Sequence, residues 1–211
     1  MRNKLEKKIN KNWNFRKVSE KKWLKAQVPG CVHTDLYDNK LIPDPFYGTN
    51  EKDLQWISYE NWEYKTILDL DDEFINKEVQ LLKFYGLDTY AKVYVNGKLL
   101  IESNNMFRPW AVSVKNVFQL GENEILVSFE SPIQKILPKM SKMDYELPAD
   151  NDQIKKTSPH TRKAPYHYGW DWGPSYATCG IWQNVEVIAY DFFAINDCLL
   201  YTSPSPRDVS T

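Results

Sequence analysis

Glycine is scarce here, with 8 in 211 residues, and none are gathered into the loop that cradles a phosphate, which argues against nucleotide chemistry. No apolar run approaches the ~18 to 20 residues that span a bilayer. Met1 to Asn14 also lacks the apolar stretch of a secretory signal, so a chain that truly starts at Met1 is expected to stay inside a cell. Cysteine is limited to Cys31, Cys179 and Cys198, with no C-x-x-C or metal-like spacing. They read as free thiols, with a Cys31–Cys179 disulfide left open. The histidines, His33, His160 and His167, form neither a zinc helix motif nor a triad with a nucleophile elbow, and each reads as structural or exposed. These gaps leave no motif for a cofactor or a metal. Charge of one sign is missing too. Lys and Arg number 27 against 28 Asp and Glu, a net charge of -1, so neither nucleic acid nor an anionic membrane is expected as a partner.

Aromatic residues are what the chain has in quantity, at 14% within a hydrophobic content of 42%, which argues for a packed core and against disorder. The length suits one large domain or two small ones. Apolar residues recur at a spacing of two far more often than 3.6. Trp62, Tyr64, Thr66, Leu68 and Leu70 alternate with Glu63, Lys65, Ile67, Asp69 and Asp71, the pattern of a half-buried strand. Val79 to Phe84 is a short apolar run suited to a central strand. Ala91, Val93 and Val95 share one face, and Asn96-Gly97, which tolerates positive φ, predicts a tight hairpin over residues 94–99. After Gly121-Glu-Asn123, the side chains of Ile125, Val127 and Phe129 face one way, and Val185, Val187 and Ala189 repeat the alternation. Strands at this spacing predict an all-β antiparallel sandwich or jelly roll.

Helical signals are few. Val32 to Asn39 predicts a short helix started by His33 or Thr34, and Ser131-Pro132 reads as an N-cap and first helical residue of a segment that Pro138 limits. The basic N-terminus (Arg2, Lys4, Lys7, Lys8, Lys11) reads as a solvated segment. Lys139 to Arg162 has little periodicity and predicts a long loop, uncommon inside a compact domain and often functional. Tyr201 to Asp208 has no apolar pattern. Residues 198–211 are therefore expected to be a disordered tail or non-native sequence, since Leu199 to Asp208 resembles translated sequencing adapter, and a single domain is expected over 1–197.

The long loop leads into Tyr166-His-Tyr-Gly-Trp-Asp-Trp-Gly-Pro174, which sets Asp171 between Trp170 and Trp172. Exposed indole is costly at roughly 25 cal/mol per Å², so such a stretch either packs as a buried aromatic corner or lines a cleft. Aromatic faces beside a hydrogen-bonding acid suit a sugar ring, with its apolar C–H faces and hydroxyl edges. Glycoside hydrolysis usually employs two carboxyl groups, and spacing identifies no such pair. Glu51, Glu60 and Glu63, near Trp56 and Trp62, are explained as strand-edge and surface positions, so no catalytic residue is assigned. The residues alone predict a carbohydrate-binding domain or one part of a larger enzyme.

A resemblance sharpens this. Val28-Pro-Gly-Cys-Val-His-Thr-Asp-Leu36, Ile42-Pro-Asp-Pro-Phe46, Asn50-Glu51, Trp62-Glu-Tyr64, Tyr85-Gly-Leu-Asp-Thr89, Val95-Asn-Gly97, Asn105-Met-Phe107, Ser131-Pro132, Arg162-Lys163, Trp170-Asp-Trp-Gly-Pro174 and Gly180-Ile-Trp182 follow the order seen in β-mannosidases of glycoside hydrolase family 2. The resemblance, over about Trp13 to Asp197, implies a galactose-binding-like jelly-roll β-sandwich at the N-terminus of a longer chain with immunoglobulin-like domains and a (β/α)₈ barrel. That barrel would carry the glutamates of a retaining exo-mechanism releasing terminal β-D-mannose. The resemblance also implies that Asp171 accepts hydrogen bonds from sugar hydroxyls. Either Trp170 or Trp172 would shape the wall of the site while the other packs inward, and Arg162 would pair with Asp171 or neighbouring backbone. A β-mannoside or oligosaccharide would be the substrate, and this chain alone would be inactive. Two alternatives stand beside it: a free-standing carbohydrate-binding module, and the same domain of a β-galactosidase or β-glucuronidase. The compartment stays open, since relatives occur in lysosomes, in periplasm or outside cells, and in cytoplasm. The absence of an Asn-x-Ser/Thr sequon speaks weakly against a lysosomal glycoprotein.

Overall fold

Alternating burial builds the molecule. In strand β4 (Trp62–Leu70) every second side chain, from Trp62 to Leu70, is buried, as the period-two pattern predicts. The structure is a computed structural model that describes residues 4–152 and 154–192. The expected tail at 198–211, the domain limit at 197 and Cys198 lie outside the described residues. The other strands are β1 (Lys4–Lys8), β2 (Trp13–Lys17), β3 (Leu24–Ala26), β5 (Val79–Phe84), β6 (Tyr90–Val95), β7 (Lys98–Asn104), β8 (Trp110–Ser113), β9 (Gly121–Glu130) and β10 (Val185–Tyr190). They form a four-stranded sheet in the order β1-β10-β5-β8 and a six-stranded sheet in the order β3-β2-β4-β9-β6-β7. Every strand pair in both sheets is antiparallel.

The inner faces close on one core. Phe15, Tyr64, Val93, Val127 and Phe129 of the larger sheet join Leu82, Phe84, Val185 and Val187 of the smaller one. The result is the predicted all-β sandwich. Asn96 and Gly97 adopt φ of 48° and 79°, the left-handed pair that the β6–β7 hairpin turn demands. Strand β5 is interior to its sheet, but its burial alternates (Gln80, Leu82 and Phe84 inward), because only one of its faces meets the other sheet.

Three readings of the sequence are corrected, and one open alternative is closed. The lysine-rich start is not merely solvated: β1 pairs with β10 from Lys4↔Tyr190 to Lys8↔Glu186, and its ladder rather than any buried side chain holds it. Helix α1 (Val32–Asp38) begins at Val32 as read, but Cys31, not His33 or Thr34, is its N-cap, with Thr34 three residues on. The Thr34 hydroxyl accepts the Cys31 N–H at 3.3 Å, the return arm of a capping box. Ser131 does cap α4 (Pro132–Met140), accepting the Gln134 N–H at 3.1 Å. Yet α4 runs through Pro138 to Met140, because Ile133 and Leu137 pack on Tyr168, Ala177 and Tyr59, and that burial offsets the missing backbone bond. Cys31 and Cys179 are free thiols.

Helix α2 (Asn50–Asp53), a 3₁₀ turn at Gln55–Tyr59 and helix α3 (Asp72–Ile75) are too short for periodicity to reveal. The long segment after α4 is irregular, as expected, up to a 3₁₀ turn at Ser158–His160. The carboxylate of Asp152 orders it by accepting the N–H groups of Ile154, Lys155 and Ser158 at 2.9, 3.2 and 2.9 Å. No helix among the described residues is long and apolar enough to cross a membrane.

Candidate functional site

The aromatic segment is rooted where three stretches of backbone meet at Gly180. Asp88 and Gly180 exchange both N–H···O bonds, at 3.0 and 3.1 Å, while the Gly30 and Val32 N–H groups bond to Ile181 and Cys179 at 3.0 and 2.9 Å. A Cβ on Gly180 would lie 2.8 Å from both the Cys31 Cα and the Gly30 oxygen, so only glycine fits this crossing. The Val-Pro-Gly segment is thus structural, as expected. The Asn105-Met-Phe107 motif pins the other side: the Met106 N–H bonds to the Arg162 carbonyl at 3.0 Å, and the Met106 carbonyl accepts the Trp182 indole N–H at 3.1 Å.

Beneath the segment lies a charged cluster with almost no access to water. Lys163 and Asp88 are 3% and 2% exposed and form an ion pair. The Lys163 ammonium also donates to the Thr178 carbonyl at 2.8 Å, and the Thr89 hydroxyl donates to the second Asp88 oxygen. With its charge matched and two of the three ammonium donors used, the pair comes close to the conditions under which a buried ion pair is tolerated. Two histidines border it. His33 shares a 2.9 Å hydrogen bond with the Thr178 hydroxyl, and burial, reinforced by the Lys163 charge and then His167, holds its pKa down at about 3. His167 is held down to about 4 by burial and then Lys163, against the opposing pull of Asp88. Its Nδ1 stands 3.7 Å from Asp88 Oδ2, which for a neutral imidazole is a contact rather than an ion pair.

From this base the chain rises through a 3₁₀ turn at Pro165–Tyr168, whose Tyr168 is fully buried. It then reverses at residues 170–173, where Trp170 and Gly173 exchange backbone bonds of 3.4 and 3.3 Å. The returning limb is braced from the side: Glu51 accepts the Ser175 N–H at 2.6 Å, Gln55 donates to the Ser175 carbonyl at 2.8 Å, and the Tyr176 hydroxyl donates to the Pro45 carbonyl. The Ile42-Pro-Asp-Pro-Phe and Asn50-Glu motifs therefore serve as a buttress. Phe46, Tyr166, His167, Trp170, Trp172, Gly173, Pro174 and Tyr176 enclose an open aromatic cleft of about 480 Å³.

Trp170 and Trp172 meet edge to face, with ring centroids 6.0 Å apart, and both are outside the core. Trp172 is 84% exposed and Trp170 38%, so Trp170 is the more covered of the two, although neither belongs to the buried core. Asp171 is exposed and is not among the cleft walls. Arg162 does not join it. The Arg162 backbone pairs with Asn105 and Met106, and its side chain lines a polar groove of about 720 Å³ with Tyr90, Lys135 and Glu130. That groove is larger than the cleft, but its ions pair with each other, as in Lys135–Glu130 at 2.6 Å, and it reads as a solvated sheet face. Glu60 and Glu63 are paired with Lys17 and Arg16. No group of three or more His, Cys, Asp or Glu able to hold a metal occurs among the described residues. Sequence reasoning missed the roles of Asp88, Lys163, His167 and Glu51, though each lies in or beside a quoted motif.

Comparisons with known proteins agree with this geometry. Residues 13–183 match the family described as glycosyl hydrolase 2 galactose-binding domain-like. The chain is 35% identical over 187 residues to beta-mannosidase B of Thermothelomyces thermophilus, covering 87% of this chain and 22% of the relative. It is 35% identical over 190 residues to a probable beta-mannosidase of Caenorhabditis elegans, covering 85% and 21%. Among solved structures, a beta-D-mannosidase from Dictyoglomus thermophilum superposes with a TM-score of 0.84 at 40% identity, over 89% of this chain and 23% of that one. A beta-D-glucuronidase from the same organism reaches 0.56 at 16% identity, over 90% and 29%, a likeness of fold alone. The chain thus spans 22% and 21% of the length of these curated relatives. It belongs to the galactose-binding-like domains of glycoside hydrolase family 2.

Proposed function

We propose that this chain is the N-terminal domain of a retaining exo-β-mannosidase that releases terminal β-D-mannose from the non-reducing ends of β-mannosides. In this reading the polypeptide continues into immunoglobulin-like domains and a (β/α)₈ barrel that holds the acid/base and nucleophile glutamates. The domain supplies the aromatic loop and no bond-breaking group, and alone it is inactive. The observation that carries the proposal is the exposed indole of Trp172, set edge to face against the more covered Trp170 on a braced turn. An indole of ~200 Å² left in water forgoes on the order of 5 kcal/mol of burial, so a loop held rigidly in that state is built to be covered. A sugar face and the mouth of a neighbouring domain are the surfaces that match it. Asp171, exposed at the tip, is free to turn its carboxylate to hydroxyls at the end of the sugar distant from the cleaved bond. A wall at that end would leave room for a single terminal residue. The stronger likeness to β-mannosidases, against fold-only likeness to a β-glucuronidase, supports mannose as the sugar.

The test is a set of aryl β-D-mannoside, β-D-galactoside and β-D-glucuronide assays on the protein from an intact reading frame. The expected result is preferential mannoside hydrolysis with retained anomeric configuration, and no turnover by residues 1–197 alone. Preference for galactoside or glucuronide would overturn the choice of sugar. An intact reading frame that encodes no further domains, with glycan binding but no hydrolysis, would replace the enzyme by a free-standing carbohydrate-binding module.

A further inference from the structure

We propose that His167 is a substrate-contacting residue of the aromatic cleft, its Nε2 accepting a hydrogen bond from one hydroxyl of the bound sugar. The inference rests on the reading of the cleft as a glycoside site and adds a residue to it. His167 spans two environments. Its Nδ1 is buried without a hydrogen-bond partner and faces Asp88 Oδ2 at 3.7 Å, yet the side chain is 20% exposed and forms part of the cleft wall. The exposed part is therefore the opposite edge of the ring.

The neighbours fix which nitrogen carries the proton. Asp88 is an acceptor, already engaged by Lys163 and Thr89, so the Nδ1–H tautomer is the one its carboxylate favours. Burial first, and then the Lys163 ammonium, oppose a second proton on the ring. What remains toward the cleft is a lone pair on Nε2. Among the other walls, the indole N–H groups only donate, Phe46, Gly173 and Pro174 present no polar side-chain atom, and the hydroxyls of Tyr166 and of Tyr176, which donates to Pro45, are the weaker, phenolic acceptors. A sugar hydroxyl entering the cleft has a proton to place, and Nε2 is the ring acceptor that the wall offers. Tyr166 packs edge-on against the imidazole with centroids 4.9 Å apart, which limits its rotation.

Gln and Asn separate the two ring nitrogens, because a glutamine amide reaches the position of Nε2 and an asparagine amide that of Nδ1. In the full-length enzyme, wild type, His167→Gln and His167→Asn are compared on the aryl glycoside that wild type cleaves and on its single-deoxy forms. His167→Asn is expected to lower kcat/KM about tenfold, the scale of one hydrogen bond between uncharged groups, and to match wild type on the one deoxy form that lacks the contacted hydroxyl. His167→Gln is expected to stay within about threefold of wild type on every substrate. Equal losses on all deoxy forms, or loss in His167→Gln with activity kept in His167→Asn, would overturn the contact and leave His167 as a brace for Asp88. Thermal melts check folding. If His167→Asn does not fold, His167→Gln decides alone, since a uniform tenfold loss in it overturns the proposal. The choice of mannose is read separately from wild type: preference for another glycoside sinks that choice while the His167 comparison proceeds on the preferred sugar. A wild type that cleaves no glycoside overturns both.

Discussion

Asp171 and Lys163 stand eight residues apart in sequence and are opposites physically. Asp171 is exposed at the tip of the turn, so Asp171→Ala in the full-length enzyme is expected to leave the melting temperature unchanged. On the proposed role of Asp171, the loss of a charged hydrogen bond to substrate is expected to lower kcat/KM by roughly 2 to 4 kcal/mol. Wild-type kinetics in a folded variant would remove Asp171 from the site. Lys163 is buried against Asp88. Lys163→Met strands a carboxylate in the interior and is expected to destabilise the fold by about 3 to 5 kcal/mol in urea unfolding, with Asp88→Asn in the same chain recovering much of that. The sequence made one of these residues visible and hid the other. Two tryptophans around an acid are an unusual local composition, legible in three letters. The partner of Lys163 lies 75 positions away, and no local spacing encodes a pair that only the sandwich brings together. His167 was hidden for a related reason: a lone histidine among aromatics looks structural until Asp88 arrives beneath it.

Strands with one buried face announced themselves, and those held by backbone alone did not. Strand β4 could be read directly because its buried set repeats every second residue over its whole length. Strand β1 has no buried residue, so its sequence carries no inward stripe to detect. The short buttress at residues 50–59 was equally silent, since neither a four-residue helix nor a five-residue 3₁₀ turn establishes a period. Its motifs were noticed only through resemblance, without their bracing role. At the Gly180 crossing the element-level prediction is direct. Gly180→Ala forces the 28–32 segment away from residues 179–181 and is expected to cost about 1 to 3 kcal/mol, measured by urea unfolding. Loss of the brace should also weaken substrate binding in the full-length enzyme. Wild-type stability in this variant would mean that the crossing is looser than its contacts indicate.

For the molecule as a whole, the buried His33 and Asp35 and the half-buried His167 shape the response to pH between 4 and 6. His33 and His167 have folded pKa values of about 3 and about 4, depressed from 6.5. The stability they contribute is fully present above the unfolded value and is lost as pH falls toward the folded ones. Asp35 has the opposite sign: burial, with the charge of Asp38 adding and bonds from Tyr64 and Gln27 opposing, pushes it up to about 6. Its contribution is complete below pH 3.8 and is lost as pH rises through 6. From these groups, between pH 4 and 6 the unfolded chain holds about two more protons on the histidines and one fewer on Asp35, so stability rises with pH by about 1.4 kcal/mol per unit. The urea midpoint of the chain is expected to fall from pH 6 to pH 4 and to be nearly flat above 6.5. His33→Asn with His167→Gln should reverse the acid slope, leaving Asp35 alone. A wild-type midpoint that climbs steadily toward pH 4 would refute this balance.

Strand β1 joins its sheet only through β10, with Lys4 opposite Tyr190. During synthesis, then, β1 waits for β10, about 180 residues later in the chain. Until residues 185–190 emerge, β5 offers the nascent chain's neighbours an unpaired hydrogen-bonding edge. A message cut short before that point would release a chain with an adhesive border rather than a smaller stable domain.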